Sequence, residues 1–172
     1  MIPTLGPEEK VTPLMLYTAS GMVRAELVCK QSVRVNIWLR TENAPRYLHL
    51  IKAHVVLVGG NAIKTFSFPD VFLPAETVFA YHLLPPGSEP MDYEETEANR
   101  RMQPATALLN SFLFRGELRI STLSDVGTTI EVARTSWLSF YNVDISNPFL
   151  PQLAVHAPMM LINPNQVGFA LE

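Results

Sequence analysis

Apolar and polar side chains alternate along this chain in two separate regions. From Met22 onward Val23, Ala25, Leu27 and Cys29 alternate with Arg24, Glu26, Val28 and Lys30, the period-two pattern of a strand with one buried face. Val33, Val35, Ile37 and Leu39 then alternate with Arg34, Asn36, Trp38 and Arg40, which predicts a second strand joined to the first through Lys30-Gln31-Ser32. A third strand is predicted over 47–57. Gly59-Gly60-Asn61 follows it; Gly and Asn accept positive φ cheaply and permit a two-residue hairpin, flanked here by Val58 and Ile63. Phe66-Ser67-Phe68, 71–73 and 78–81 read as closing strands around Pro69 and Pro74-Ala75-Glu76-Thr77. The second region predicts strands over 113–120, 126–133, 136–145, 159–162 and 167–171, the last two around Asn163-Pro164-Asn165-Gln166.

The two regions match block by block. Arg24-Ala25-Glu26-Leu27 returns as Arg115-Gly116-Glu117-Leu118, 47–55 returns as 137–145, and 69–78 returns as 158–167, at offsets of 91, 90 and 89 residues. Arg40-Thr41 and Arg134-Thr135 form a fourth pair at 94. Self-similarity at a nearly constant spacing indicates an internal duplication of one module. The boundaries predicted from it are an N-terminal arm over 1–21 ending in a strand near Leu14 to Thr18, a first β module over 22–84, an acidic connector over 85–112 and a second module over 113–172. The connector opens on Leu84-Pro85-Pro86-Gly87-Ser88-Glu89-Pro90. It then carries Asp92 three residues before Glu95, the form of a capping box, and Glu97 four before Arg101, so one short helix is predicted over 93–102, with a further helical turn near 106–111.

Composition narrows the chemistry. The net charge is -3 and charged residues make up 17%, so there is no global field to hold a polyanion. The first module is the basic part: seven Lys/Arg against four acids over 22–84. Cys29 is the single cysteine, which rules out an intramolecular disulfide or a cysteine-based zinc site. The N-terminus has neither the basic nor the apolar region of a signal peptide, and no apolar run is long enough to span a membrane, so a cytoplasmic protein is expected. No motif of a serine hydrolase, phosphate-binding loop, dinucleotide fold or zinc protease occurs. No catalytic residue, metal ligand or cofactor is assigned. The recurring Arg-x-Glu suits cross-strand ion pairs. His49 and His54, five apart on one strand, are directed to opposite faces and do not form a pair. Arg34, Trp38, Arg40 and Arg46 in the first copy, with Arg134 and Trp137 in the second, are the candidate interaction or ligand residues: aromatics beside arginines suit stacking on single-stranded nucleic acid or an anionic ligand.

The Arg-x-Glu-Leu strand, the Tyr47-Leu48-His49-Leu50 strand and the closing hairpin resemble an uncharacterised bacterial family of small tandem all-β modules. Leu161-Ile162-Asn163-Pro164-Asn165-Gln166-Val167 is also similar to the second Sm motif, in which a strand meets a short turn and a final strand. The resemblance implies two tandem Sm-like or SH3-like small β-barrels. That motif's Arg-Gly turn is missing from both copies, so RNA contact is not carried over with the fold. The expected protein is all-β and non-enzymatic, a structural or protein-interaction module that forms a homo-oligomer or binds a protein partner, with no membrane role. Single-stranded nucleic-acid binding is the second expectation, and a small-ligand split barrel of flavin type the third.

Overall fold

A computed structural model describes residues 4–59, 62–133 and 135–171. The protein is mostly β. Strands β1 (Glu9–Thr18), β2 (Gly21–Lys30), β3 (Tyr47–Gly59), β4 (Ala62–Pro74) and β5 (Val78–Leu83) make up the first part, with a four-residue helix α1 (Val35–Trp38) between β2 and β3 and a 3-10 turn over Ala75–Thr77. The second part has β6 (Arg100–Leu109), β7 (Phe112–Ser121), helix α2 (Val126–Val132), β8 (Leu138–Ser146), β9 (Val155–Ile162) and β10 (Gly168–Ala170). The chain divides into two compact units, Met1–Glu89 and Pro90–Glu172.

Within the first unit the antiparallel strand order is β5-β1-β2-β3-β4; within the second it is β10-β6-β7-β8-β9. The same succession of elements recurs, with β1 and β6, β2 and β7, α1 and α2, and β3 and β8 each opening 91 residues apart. The recurrence extends to a backbone irregularity. The β2–β3 register shifts between Arg24 and Glu26, and the β7–β8 register shifts between Arg115 and Glu117. Facing each shift is a residue with positive φ, Lys52 at 50° and Asn142 at 50°. Both are β-bulges, which bend the strand and increase its twist. Each unit folds around one apolar face: Leu16, Leu27, Leu48, Leu50 and Tyr81 in the first, Phe112, Phe114, Leu118, Ile120 and Phe140 in the second, all 0% or 1% exposed.

Four sequence expectations are corrected. The second strand predicted in each copy is a helix. In α1 Val35 and the following Leu39 are buried while Ile37 is 55% exposed, so the buried spacing is i, i+4 rather than i, i+2. Both carboxylate oxygens of Glu89 accept from the first-turn amides, Oε1 from Val35 N and Oε2 from Asn36 N, the latter at 2.9 Å. At α2, Asp125 is the N-cap, its Oδ1 accepting from Thr128 N at 2.8 Å and its Oδ2 from Thr128 Oγ1 at 3.1 Å. The connector helix predicted over 93–102 and the turn near 106–111 are also replaced: β6 begins at Arg100, and Asp92, the supposed cap, accepts instead from Ser139 Oγ and from Tyr141 OH, the latter at 2.6 Å. The arm over 1–21 contains a full ten-residue strand, β1, paired with β2 along its length and with β5 on its other side. Its Leu14, Met15, Leu16 and Tyr17 are buried on both faces. The Gly60-Asn61 turn lies outside the described residues, but Gly59↔Ala62 and Val58↔Ile63 pair as the hairpin requires.

Candidate functional site

Of the residues singled out from the sequence, Arg34, Trp38, Arg40 and Arg46 share the connection between β2 and β3. Arg34 is the residue before α1, Trp38 closes α1, and Arg40 and Arg46 follow in the loop. All three arginines are exposed and Trp38 is half-buried, its Nε1 donating to Asn43 O at 3.1 Å. Arg46 lies over the Tyr47 ring, with Cζ 5.7 Å from the centroid. Trp137 is half-buried just before β8, and Thr135 Oγ1 donates to its carbonyl at 3.0 Å. Arg134 lies outside the described residues. The first connection is a helix-and-loop structure held by its own backbone hydrogen bonds and by the Glu89 carboxylate at the start of α1.

The polar repeat, by contrast, has a clear structural use. Lys52 Nζ donates to Glu26 Oε1 at 3.0 Å, and at the matching place Asn142 Nδ2 donates to Glu117 Oε2 at 2.9 Å. The recurring glutamate therefore ties down the positive-φ residue of each bulge. Beyond the bulge, Arg24 stands opposite His54 and His54 opposite Ser67; the matching set is Arg115, Asp144 and His156. His54 Nδ1 and Ser67 Oγ are 2.9 Å apart, as are His156 Nδ1 and Asp144 Oδ1. Arg115, Asp144, Ser146 and His156 line an open depression of about 410 Å³. The Asp144 and His156 side chains are 78% and 56% exposed, so water screens the pair and it is not a buried general base. What recurs is a polar cross-strand hydrogen bond, whose chemical identity differs between the units.

Buried titratable groups are equally structural. Tyr17 OH and His82 Nε2 are 3.1 Å apart, and His82 Nδ1 lies 3.0 Å from Leu83 O. The carbonyl can only accept, so Nδ1 carries the proton and Nε2 accepts from the tyrosine. Burial pushes the Tyr17 hydroxyl up and the His82 ring down from their ordinary ranges, the Leu83 hydrogen bond acting against the second shift. Cys29 is buried with Thr12 Oγ1 3.7 Å from its Sγ, and burial raises the thiol away from nucleophilic use. Among the described residues no group of three His, Cys, Asp or Glu side chains could hold a metal, and no helix is long and apolar enough to cross a membrane.

The least expected feature is β4. Among the described residues it is hydrogen-bonded to a neighbour on one side only, to β3, and every residue over 62–70 is exposed. Ile63, Phe66, Phe68 and Phe72 are 43%, 44% or more exposed, up to 60% at Phe72. Phe66 and Phe68 stack along the strand with centroids 6.3 Å apart, while Phe72 stacks on His49 at 4.5 Å, and His49 Nε2 is 2.7 Å from Asp70 Oδ1. The sequence places these aromatics on two short closing strands, 66–68 and 71–73, which are one continuous strand here. The signal of their exposure is on the same strand face, where Lys64 and Asp70 alternate in step with the three phenylalanines. A buried face does not mix exposed charges with aromatic rings in this way. No protein-family model, curated protein or solved structure matches the chain.

Proposed function

We propose that this chain is a duplicated β module that works by protein interaction rather than catalysis, and that the β3–β4 hairpin is its docking surface. The observation that carries this reading is the free edge of β4, thirteen residues long, with phenylalanines exposed along it. Soluble proteins rarely leave a long apolar edge strand uncovered, because its unpaired N–H and C=O groups template pairing with another chain. A partner that contributes a strand would satisfy those groups and cover the rings. The 91-residue recurrence of elements, down to the bulge and its glutamate, supports duplication. The finer reading of each unit as an Sm-like small barrel rests on five antiparallel strands and a sheet-bending bulge; among the described residues β4 and β5 form no ladder with each other.

Photo-crosslinking amino acids placed at positions 66 and 68 test the reading. Covalent adducts to protein are expected there and not at Leu123, which is 97% exposed but lies outside the hairpin. Equal labelling at all three positions, or none at 66 and 68, would end it. Single-stranded nucleic-acid binding has one observation in its favour, the exposure of Arg34, Arg40 and Arg46 around Trp38 on one connection. It predicts salt-sensitive binding that is lost when Arg34→Ala and Arg40→Ala are combined.

A further inference from the structure

We propose that the partner of β4 is β4 of a second copy, paired antiparallel about a two-fold axis through Ser67. The inference rests on the interaction reading above and adds the partner and the register. Two identical strands meeting edge to edge in a closed dimer form an isologous contact, in which residue i of one faces residue j of the other and j faces i. Side chains directly opposite each other in an antiparallel pair share a face, so i and j must have the same parity. The axis must therefore pass through a residue rather than between two.

Only a few centres leave a useful overlap, and charge chooses among them. An axis through Ser67 sets Lys64 opposite Asp70 twice, Phe66 opposite Phe68 twice, Ile63 opposite Val71 twice and Ser67 opposite itself. Moving the axis to Phe68 sets Lys64 against Phe72 and Asp70 against Phe66; moving it to Phe66 sets Lys64 against Phe68 and Asp70 against Ala62. In both alternatives four charges face apolar side chains. The charged residues of an edge strand ordinarily guard against pairing. Here they guard against every register but one.

The Ser67 register also covers what the single copy leaves open. On one face, Phe66 and Phe68 of both copies come together as four rings, building on the stacked pair already present in each. On the other, Ile63, which is 43% exposed, meets the half-buried Val71. Pro69, which has no N–H to donate, falls opposite Thr65 and away from the axis; it is also skipped in the ladder with β3, where Ile51↔Asp70 and Ala53↔Phe68 pair but Lys52 and Pro69 do not.

Light scattering on the purified full chain should give twice the 19.2 kDa chain mass. Lys64→Asp alone places like charges opposite each other and should give a monomer, as should Asp70→Lys alone. Mixing the two monomeric variants restores both ion pairs in a heterodimer, so the doubled mass should return. In addition, Ser67→Cys should cross-link to its own copy under mild oxidation while Thr65→Cys does not, and this arm stands even where the Asp70 variant, which loses its His49 contact, fails to fold. A monomeric native chain, a dimer that survives both single charge reversals, or cross-linking at position 65 in place of 67 overturns the proposal. Adducts from positions 66 and 68 to other proteins, with no Ser67→Cys dimer, would remove self-pairing and leave the interaction reading intact.

Discussion

At the scale of single residues, the most consequential polar contact is one that performs no chemistry. His82 is 2% exposed and Tyr17 0%, so their hydrogen bond is made where water cannot substitute for it. Tyr17→Phe removes the donor and strands the Nε2 acceptor, at a cost of about 1–3 kcal/mol that urea denaturation would measure. The same pair predicts a pH dependence. Burial lowers the His82 pKa in the folded state, so the unfolded chain binds a proton that the folded one refuses. Stability should therefore be level with respect to this group above the ordinary histidine pKa of about 6.5. It should fall as pH drops through that value toward the folded pKa. Equilibrium denaturation across this range checks the sign, and His82→Gln should flatten the slope. A slope unchanged in that variant would assign the proton to another histidine. No sequence signal singles out His82, because nothing local says that a residue near the end of a short strand will face Tyr17, 65 residues earlier.

At the scale of elements, the bulge explains why a glutamate recurs. Lys52 and Asn142 hold the same left-handed backbone, but the two side chains do not carry the same cost there: Asn tolerates that region well and Lys does not. Lys52→Asn should therefore stabilise the protein by roughly 0.5–1 kcal/mol, with Glu26 taking an amide donor as Glu117 does. The exposed Lys52–Glu26 ion pair given up is worth less than ~1 kcal/mol. A destabilised Lys52→Asn variant, measured by the same urea titration, would show that the ion pair outweighs the backbone. Strands β2, β3, β7 and β8 were legible because one face of each is buried and alternation records that. Helices α1 and α2 were not: in a run of four to seven residues, period two and period 3.6 share too many positions, and the Glu89 carboxylate at the start of α1 comes from 54 residues away. Segment 91–99 was misread because its charges looked like helix caps and i, i+4 pairs. They serve tertiary contacts: Arg119 Nη1 donates to Glu97 at 2.6 Å, and the Arg119 guanidinium lies 4.5 Å from the Tyr93 ring centroid.

At the scale of the whole chain, matching elements have diverged most where the candidate surface lies. β4 has thirteen residues, every one of 62–70 exposed, whereas β9, its counterpart in sequence order, has eight and buries Ala157, Met160, Leu161 and Ile162. If the β4 aromatics serve a partner rather than the fold, removing them must separate association from stability. Phe66 and Phe68 are 43% and 44% exposed on a solvated strand, so truncating them opens no closed internal cavity, although each ring gives up contacts on its covered side. The double variant Phe66→Ser, Phe68→Ser should lose no more than about 1–2 kcal/mol of stability by urea denaturation. It should also lose self-association in light scattering. Phe114→Ser, at 0% exposure in the second unit, is the opposite case: it empties a closed core site and should cost about 3–5 kcal/mol. The two tryptophans make the comparison direct, because Trp38 belongs to the first unit and Trp137 to the second, and single-tryptophan versions report each unfolding separately. A Phe66→Ser, Phe68→Ser variant that unfolds early through the Trp38 signal would show that the hairpin rings stabilise the first unit, and the case for a docking surface would go with it.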